Sequence, residues 1–284
     1  MLIEHPCYAF ARRSRWLHTR LALSRSMATV ILSPHLDDAV LSCWHVLTQP
    51  GDVSVINVFA GVPPSSDGPA WWDRYTGATD SGERVRERIE EDLTALALAG
   101  RTAINLDLLD EQYRATDQPV APLAVQLEPL LGPGARIYAP AAFAEHTDHA
   151  LVRRAALELW TAGFAVSLYA DLPHATVHGW PAWVTGKRVP ARKDLAAATW
   201  ERWLAGTGTA PEEMVPSVHA LDPGEHARKL EAVCAYRTQV DALAEFAGRP
   251  LSDREVLGYE VVWTLPRGPT SSRARASSPA ASGL

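Results

Sequence analysis

Two short stretches concentrate the side chains able to hold a metal ion and to move protons. The first is Pro34-His35-Leu36-Asp37-Asp38, an imidazole and two carboxylates directly after the apolar run Ala28 to Leu32. The second is Glu145-His146-Thr147-Asp148-His149, two imidazoles among carboxylates, after Arg136-Ile137-Tyr138-Ala139-Pro140. Imidazole and carboxylate together suit zinc, and a catalytic zinc takes three protein ligands and keeps one position open. The chemistry such a centre can supply is hydrolytic, an activated water with a nearby group to take its proton and charge to stabilise an oxyanion. A single His-Asp-Asp turn is also what an ordinary helix cap looks like, because Asp favours helix starts. The recurrence of the pattern after a second apolar run points to a site.

The elements around both clusters are of one kind. Ala28 to Leu32 is apolar and β-prone, as a central strand buried on both faces should be. Pro34 ends it, and from Asp37 a helix begins, with acids in its first turn, and runs to about residue 48. His35 and Asp38 therefore project from a strand-to-helix turn, the usual ligand crevice of open α/β sheets. Strand patterns recur at 52–59, 103–106, 135–140 and 164–169, with helices at 81–98, near 119–131 and after His149. This alternation predicts a single α/β domain with a Rossmann-like, mainly parallel sheet and helices on both faces. No GxGxxG fingerprint accompanies it, which argues against a dinucleotide cofactor. From 174 to 222 the pattern loosens, with Trp180, Trp183, Trp200 and Trp203 among Pro and Gly, a helix near 192–205 and a segment able to cap a pocket. A strand at 215–221, a helix at 223–243 and a strand at 255–265 follow.

His35-Leu36-Asp37-Asp38 and His146-Thr147-Asp148-His149 resemble the two signature motifs of the LmbE/PIG-L family of zinc-dependent N-deacetylases. Phe59-Ala60-Gly61, Arg88-Ile89-Glu90-Glu91-Asp92, Tyr169-Ala170-Asp171-Leu172-Pro173, and Lys229 with Tyr236-Arg237-Thr238-Gln239 follow in the family's order, so the likeness covers about residues 28 to 265. Leu36, commonly Pro, and Ala39, commonly Glu, depart from it at positions that are not metal ligands. The resemblance implies one Zn2+ per chain held by His35, Asp38 and His149, with Asp37 as general base. It further implies that His146 stabilises the oxyanion or protonates the leaving amine, that Asp148 orients the His146 imidazole, and that Arg88 points into the substrate pocket. The expected activity is removal of an N-acyl group, with acetyl foremost, from an amino sugar or a sugar-containing specialised metabolite. An amidase acting on a larger thiol or natural-product conjugate is the alternative. A non-catalytic metal or small-molecule binding module is a third reading, against which the retained Asp37 and His146 count.

Other residues leave two readings open. Trp71, Trp72 and Tyr75 fall in a Gly-, Pro- and Ser-rich loop at 61–80, where they either pack over the core edge or form a sugar-stacking wall. Asp107, Asp110 and Glu111 follow a strand and either bind sugar hydroxyls or are surface turn residues. His174, after Leu172-Pro173, is a candidate pocket residue, whereas His45, His178, His219 and His226 read as structural or surface groups. In the helix at 81–98, Val85, Ile89, Leu93, Leu96 and Ala97 recur at helical spacing as the buried stripe, with a charged, solvated face opposite.

Composition bounds these readings. A chain of 284 residues with 47% hydrophobic and 21% charged residues carries a sizeable core. A net charge of −6 without a basic stripe argues against nucleic acid as partner, leaving a small-molecule substrate. Cys7, Cys43 and Cys234 are few, odd in number and dispersed, which fits a reducing compartment and a cytoplasmic location. No run approaches the ~18 apolar residues of a membrane span. Residues 1–26 carry Arg12, Arg13, Arg15, Arg20 and Arg25 against Glu4 and lack the apolar core of a secretory signal. They read as a poorly ordered extension with Met27 as an alternative start, followed by the domain at 27–265 and a disordered tail at 266–284 rich in Ser, Ala, Pro and Gly.

Overall fold

Val30, Ile31 and Leu32 are fully buried in β1 (Thr29–Ser33), as a strand covered on both faces requires. The computed structural model describes residues 29–64, 68–115, 120–143, 146–205 and 214–268. The 1–26 extension, Met27, Cys7, Glu145 and most of the 266–284 tail lie outside these described residues. Of that tail, the Pro266 carbonyl accepts a hydrogen bond from Trp160 Nε1 at 2.7 Å.

Six further strands join β1: β2 (Val53–Asn57), β3 (Ala103–Asn105), β4 (Arg136–Pro140), β5 (Ala165–Tyr169), β6 (Val215–Ala220) and β7 (Tyr259–Thr264). They form one sheet in the order β3-β2-β1-β4-β5-β7-β6. The first five are parallel, while β7 runs antiparallel to both β5 and β6. The expected α/β class and mainly parallel Rossmann-like order are therefore present, extended by an antiparallel edge. The order reverses between β1 and β4, which pair with Thr29 opposite Arg136 and Ile31 opposite Tyr138. Loops leaving the carboxyl ends of two such strands diverge to opposite sides of the sheet and open a crevice between them. Those two loops carry the two His and Asp clusters.

Helices α1 (Asp38–Ser42) and α2 (Trp44–Leu47) replace the single helix expected to 48. Cys43 breaks the run, and the Glu260 carboxylate from β7 accepts from the Trp44 and His45 N–H groups thereby freed, each at 2.8 Å. Lys229 neutralises that carboxylate from 2.7 Å, both side chains being buried. The 61–80 loop holds a short helix, α3 (Trp71–Tyr75), before α4 (Ser81–Leu98) begins at an Asp80 cap that accepts from Glu83 N. The buried stripe of α4 is only in part the apolar one expected: Val85 and Leu96 are buried, Ile89 is half-buried and Ala97 is exposed. Leu93 is 53% exposed, whereas Arg84, Arg88, Glu91 and Asp92 face inward with Val85, Ala95 and Leu96. Buried charges need partners, and they have them: Tyr236 Oη and Asn57 Nδ2 donate to Asp92, and Thr238 donates through N and Oγ1 to Glu91.

Helix α5 (Leu123–Leu127) is shorter than expected, because Pro129 stands in a 3-10 turn at Glu128–Leu130. Helices α6 (Thr147–Thr161), α7 (Ala182–Thr185) and α8 (Leu195–Ala205) follow. The helix expected over 223–243 divides into α9 (Pro223–Val233) and α10 (Val240–Phe246), because Tyr236 and Thr238 between them turn inward onto α4. The strand expected from 255 starts only at Tyr259, after α11 (Arg254–Leu257), which Asp253 caps. Trp180, Trp200 and Trp263 pack with Phe143 in the core, so the tryptophan-rich segment is anchored to the sheet. No helix among the described residues is long and apolar enough to cross a membrane.

Candidate active site

The turn after β1 is fastened before any ligand is considered. Ser33 Oγ donates to the His35 carbonyl at 2.6 Å and accepts from Ala39 N at 3.0 Å, while His35 N donates to Asp38 Oδ2 at 2.8 Å. These bonds turn the His35 and Asp38 side chains toward α6, whose first turn presents His149. His149 Nε2 and His35 Nδ1 each lie 3.4 Å from Asp38 Oδ2, and one ligand atom from each of the three residues falls within 4.8 Å of the others.

The residues fit a divalent metal. His149 is fully buried, and among the described residues its Nε2 is without a hydrogen-bond partner although it faces a carboxylate. An imidazole nitrogen left bare against a carboxylate is the arrangement a cation completes. Burial by itself would lower the His149 pKa, yet Asp38 and Asp171 carry it up to about 9, so the local field favours positive charge. The outer nitrogens are held as well. Asp171 Oδ2 lies 2.9 Å from His149 Nδ1 and its Oδ1 accepts from Phe143 N at 3.0 Å. Asp148 Oδ2 lies 3.3 Å from His35 Nε2. Each ligand imidazole thus has a carboxylate behind it, which fixes ring orientation and tautomer.

A cavity of about 380 Å³ opens over the cluster. Asp37 lines it rather than capping α1, since its side chain makes no capping hydrogen bond. Burial raises the Asp37 pKa, and Arg88, with Nη2 3.9 Å from Asp37 Oδ2, pulls it back. His146 also lines the cavity, 5.0 Å from His35 and 4.8 Å from His149 between ring centroids. Burial and those two neighbours lower its pKa, which keeps the ring neutral near pH 7. Arg88, Trp71, Trp72 and His174 face the same cavity. Burial and His149 push the His174 pKa down to about 4.

One placement differs from expectation. Asp148 does not orient His146: its oxygens take His35 Nε2, Glu111 N at 2.9 Å and Arg114 Nη2 at 2.5 Å. On a helix, residues two positions apart face different sides, so the acid next but one to His146 meets the opposite wall of the crevice. Asp110 and Glu111 line the cavity, whereas Asp107 remains exposed, its backbone bridged to Phe59. Asp171 and Arg114 were not singled out by sequence reasoning as site residues. For Asp171 a signal existed, since it follows β5 at the same carboxyl edge as the two clusters. For Arg114 there was none.

A His, Asp and His cluster at the switch point of a mainly parallel sheet, with a buried carboxylate beside it, defines a metal-dependent hydrolase. No family model matches the chain. The chain is 26% identical, over 189 residues, to a 2'-N-acetylparomamine deacetylase from Niallia circulans, covering 53% of this chain and 69% of that one. Its fold matches that of the antimicrobial A40926 pseudoaglycone deacetylase at a TM-score of 0.61 with 25% identity, over 87% of this chain and all of the other. A deacetylase of the teicoplanin biosynthetic pathway, a triple mutant, matches at 0.59 and 25%, over 86% and 99%. These relatives bear out the resemblance carried by the two motifs: the protein is similar to deacetylases of the LmbE/PIG-L type, and it is an amide hydrolase with a candidate site for a divalent metal.

Proposed function

We propose that the protein is a zinc-dependent N-deacetylase that removes the acetyl group from an amino sugar within a specialised metabolite. The observation that carries this reading is the pairing, in one cavity, of the buried His35, Asp38 and His149 cluster with a separate buried carboxylate, Asp37, beside Arg88. Relatives that act on an N-acetylated paromamine and on an antimicrobial pseudoaglycone support a sugar-bearing substrate.

His35, Asp38 and His149 would hold zinc, which would supply Lewis acidity to the amide carbonyl and to a water molecule. Asp37 is then the base that takes the proton of the attacking water, and Arg88 opposes the rise that burial imposes on its pKa. His146, neutral and across the cavity, donates a hydrogen bond to the oxyanion, and the proton that Asp37 has taken from water passes to the leaving amine nitrogen as the C–N bond breaks, restoring the Asp37 carboxylate. Asp148 and Asp171 hold the ligand rings and take no proton from substrate.

Acetate release across a panel of N-acetyl sugars, sugar antibiotics and thiol precursors, read beside metal content, tests the activity. Asp37→Asn should keep the metal and lose about 10²–10⁴-fold in turnover, the usual worth of general-base assistance. A variant that holds zinc and turns over near the parent rate would sink the mechanism and favour a binding module.

A further inference from the structure

The cavity is built from two unlike sets of residues. Asp37, Arg88, Asp110 and Glu111 come from the loops after β1 and β3 and from α4. Trp71, Trp72, Leu243 and Phe246 come from α3 and α10. The second set continues outward as a strip of rings: Trp71 to Trp72 at 5.4 Å and Trp72 to Tyr75 at 5.5 Å between centroids. Trp71 is 67% exposed, Tyr75 50% and Phe246 45%. Isolated exposed apolar residues are ordinary, but a contiguous aromatic strip running into a polar catalytic cavity marks a binding surface.

The strip is held in place. Trp72 Nε1 donates to Gln239 Oε1, at the N-cap of α10, at 2.7 Å, so α3 is tied to the start of α10. Phe246 meets His174 edge-on at 5.1 Å, and His174 lies 5.2 Å from His149. The aromatic surface therefore reaches from beside a metal ligand to the rim. Rings pre-ordered in this way present faces without losing side-chain freedom on binding.

Building on the deacetylase reading, we propose that the substrate is amphipathic: its N-acetylated sugar enters among the charged groups, and a flat aromatic or apolar aglycone rests on Trp71, Trp72, Tyr75 and Phe246. A free monosaccharide would leave these rings idle. A long acyl chain is a poorer match, because a flexible chain gains most when enclosed on every side, whereas half-exposed rings at a rim offer one face to stack upon.

The test uses the full-length, zinc-loaded enzyme and follows release of the free amine. Three probes are compared: the methyl and the naphthyl glycosides of N-acetylglucosamine, and the N-octanoyl counterpart of the methyl glycoside. The naphthyl glycoside should exceed the methyl by about 10- to 100-fold in kcat/KM, mainly through KM, from burial of one ring against others. That ratio should collapse toward unity in Trp71→Ala and in Phe246→Ala, with metal content and Tm retained. Equal kcat/KM for the two N-acetyl probes, a ratio that survives both substitutions, or preference for the octanoyl probe would each overturn the proposal while leaving amide hydrolysis intact. If neither N-acetyl probe is hydrolysed, the deacetylase reading fails by itself. The aglycone surface is then judged by equilibrium binding from tryptophan fluorescence, and naphthyl glycoside binding no tighter than methyl glycoside binding would refute it.

Discussion

Asp171→Asn isolates what the carboxylate behind a ligand imidazole does, because it preserves size and changes only donor and acceptor character. Asp171 accepts from Phe143 N at 3.0 Å and faces His149 Nδ1 at 2.9 Å, both within a fully buried environment. An amide has one acceptor oxygen. If that oxygen serves Phe143, the Asn NH2 points at His149 Nδ1 and favours the tautomer whose proton sits on Nε2, the nitrogen facing Asp38. If it serves His149, two N–H groups oppose one another at Phe143. In the second case one buried hydrogen bond is lost at Phe143, worth about 1–3 kcal/mol; in the first, the bond to His149 survives only while Nε2 keeps its proton, at a similar cost when that proton is removed. In the first case that cost is exacted on metal binding, because the Nε2 proton must leave before the nitrogen can act as a ligand. The expected result is a 10- to 100-fold weaker metal affinity, on the order of 1.4–2.8 kcal/mol. Zinc Kd from chelator competition reads this directly, with turnover at saturating zinc falling less than affinity. An unchanged Kd would show that Asp171 is only a backbone anchor for Phe143 and that the ring needs no outer partner.

Further outcomes follow from the buried charges. Arg114→Ala strips the Asp148 carboxylate of its cation and should weaken zinc binding by about tenfold through His35; Arg114→Lys, which cannot span both Asp148 and the Leu109 carbonyl, should recover only part of it in the same competition assay. Lys229→Met leaves Glu260 buried without its cation and should cost about 3–5 kcal/mol in urea unfolding, with Glu260→Gln added in the double variant restoring part of the loss. Asp92 has its pKa raised to about 7 by burial, against the hydrogen bonds from Tyr236 and Asn57. A carboxyl raised in the folded state favours folding fully below its unfolded pKa and loses that contribution as pH rises through the folded one. Tm of the parent should therefore decline between about pH 4 and pH 7 by a component that Asp92→Asn lacks; identical slopes would disprove it.

The parts of this molecule legible in its sequence are those in which one physical rule operates alone. Runs such as Val30 to Leu32 read correctly because strands covered on both faces need apolar residues throughout, and their alternation with helices fixes the parallel order. The two clusters fall at the expected strand-to-helix junctions after β1 and β4, His35 and Asp37 in the turn and Asp38, Asp148 and His149 in the first turns of α1 and α6, because each sits where an apolar run ends. The resemblance implies that Asp148 orients the His146 imidazole, and helix geometry directs it elsewhere. Successive residues on a helix are turned by about 100°, so the acid between His146 and His149 reaches across to His35 and Arg114 instead.

The α4 helix shows a different obstacle. Periodicity identifies the buried face by its apolar residues, and on α4 that rule selects Leu93, which is exposed. The face that turns inward carries Arg88, Glu91 and Asp92, and what makes this tolerable is supplied from elsewhere: Asp37 from the loop after β1, Thr238 and Tyr236 from the break between α9 and α10. No window of sequence around α4 contains those partners. The same contacts account for the break itself, since Tyr236 and Thr238 can reach α4 only where the chain leaves the helix. One set of long-range polar bonds thus orients Arg88 beside Asp37, interrupts the helix expected to 243, and brings α10 with Leu243 and Phe246 to the cavity. The substrate wall and the environment of the proposed base are consequences of the same buried network, so a substitution at Glu91 should disturb aglycone preference and turnover together, although Glu91 itself does not line the cavity.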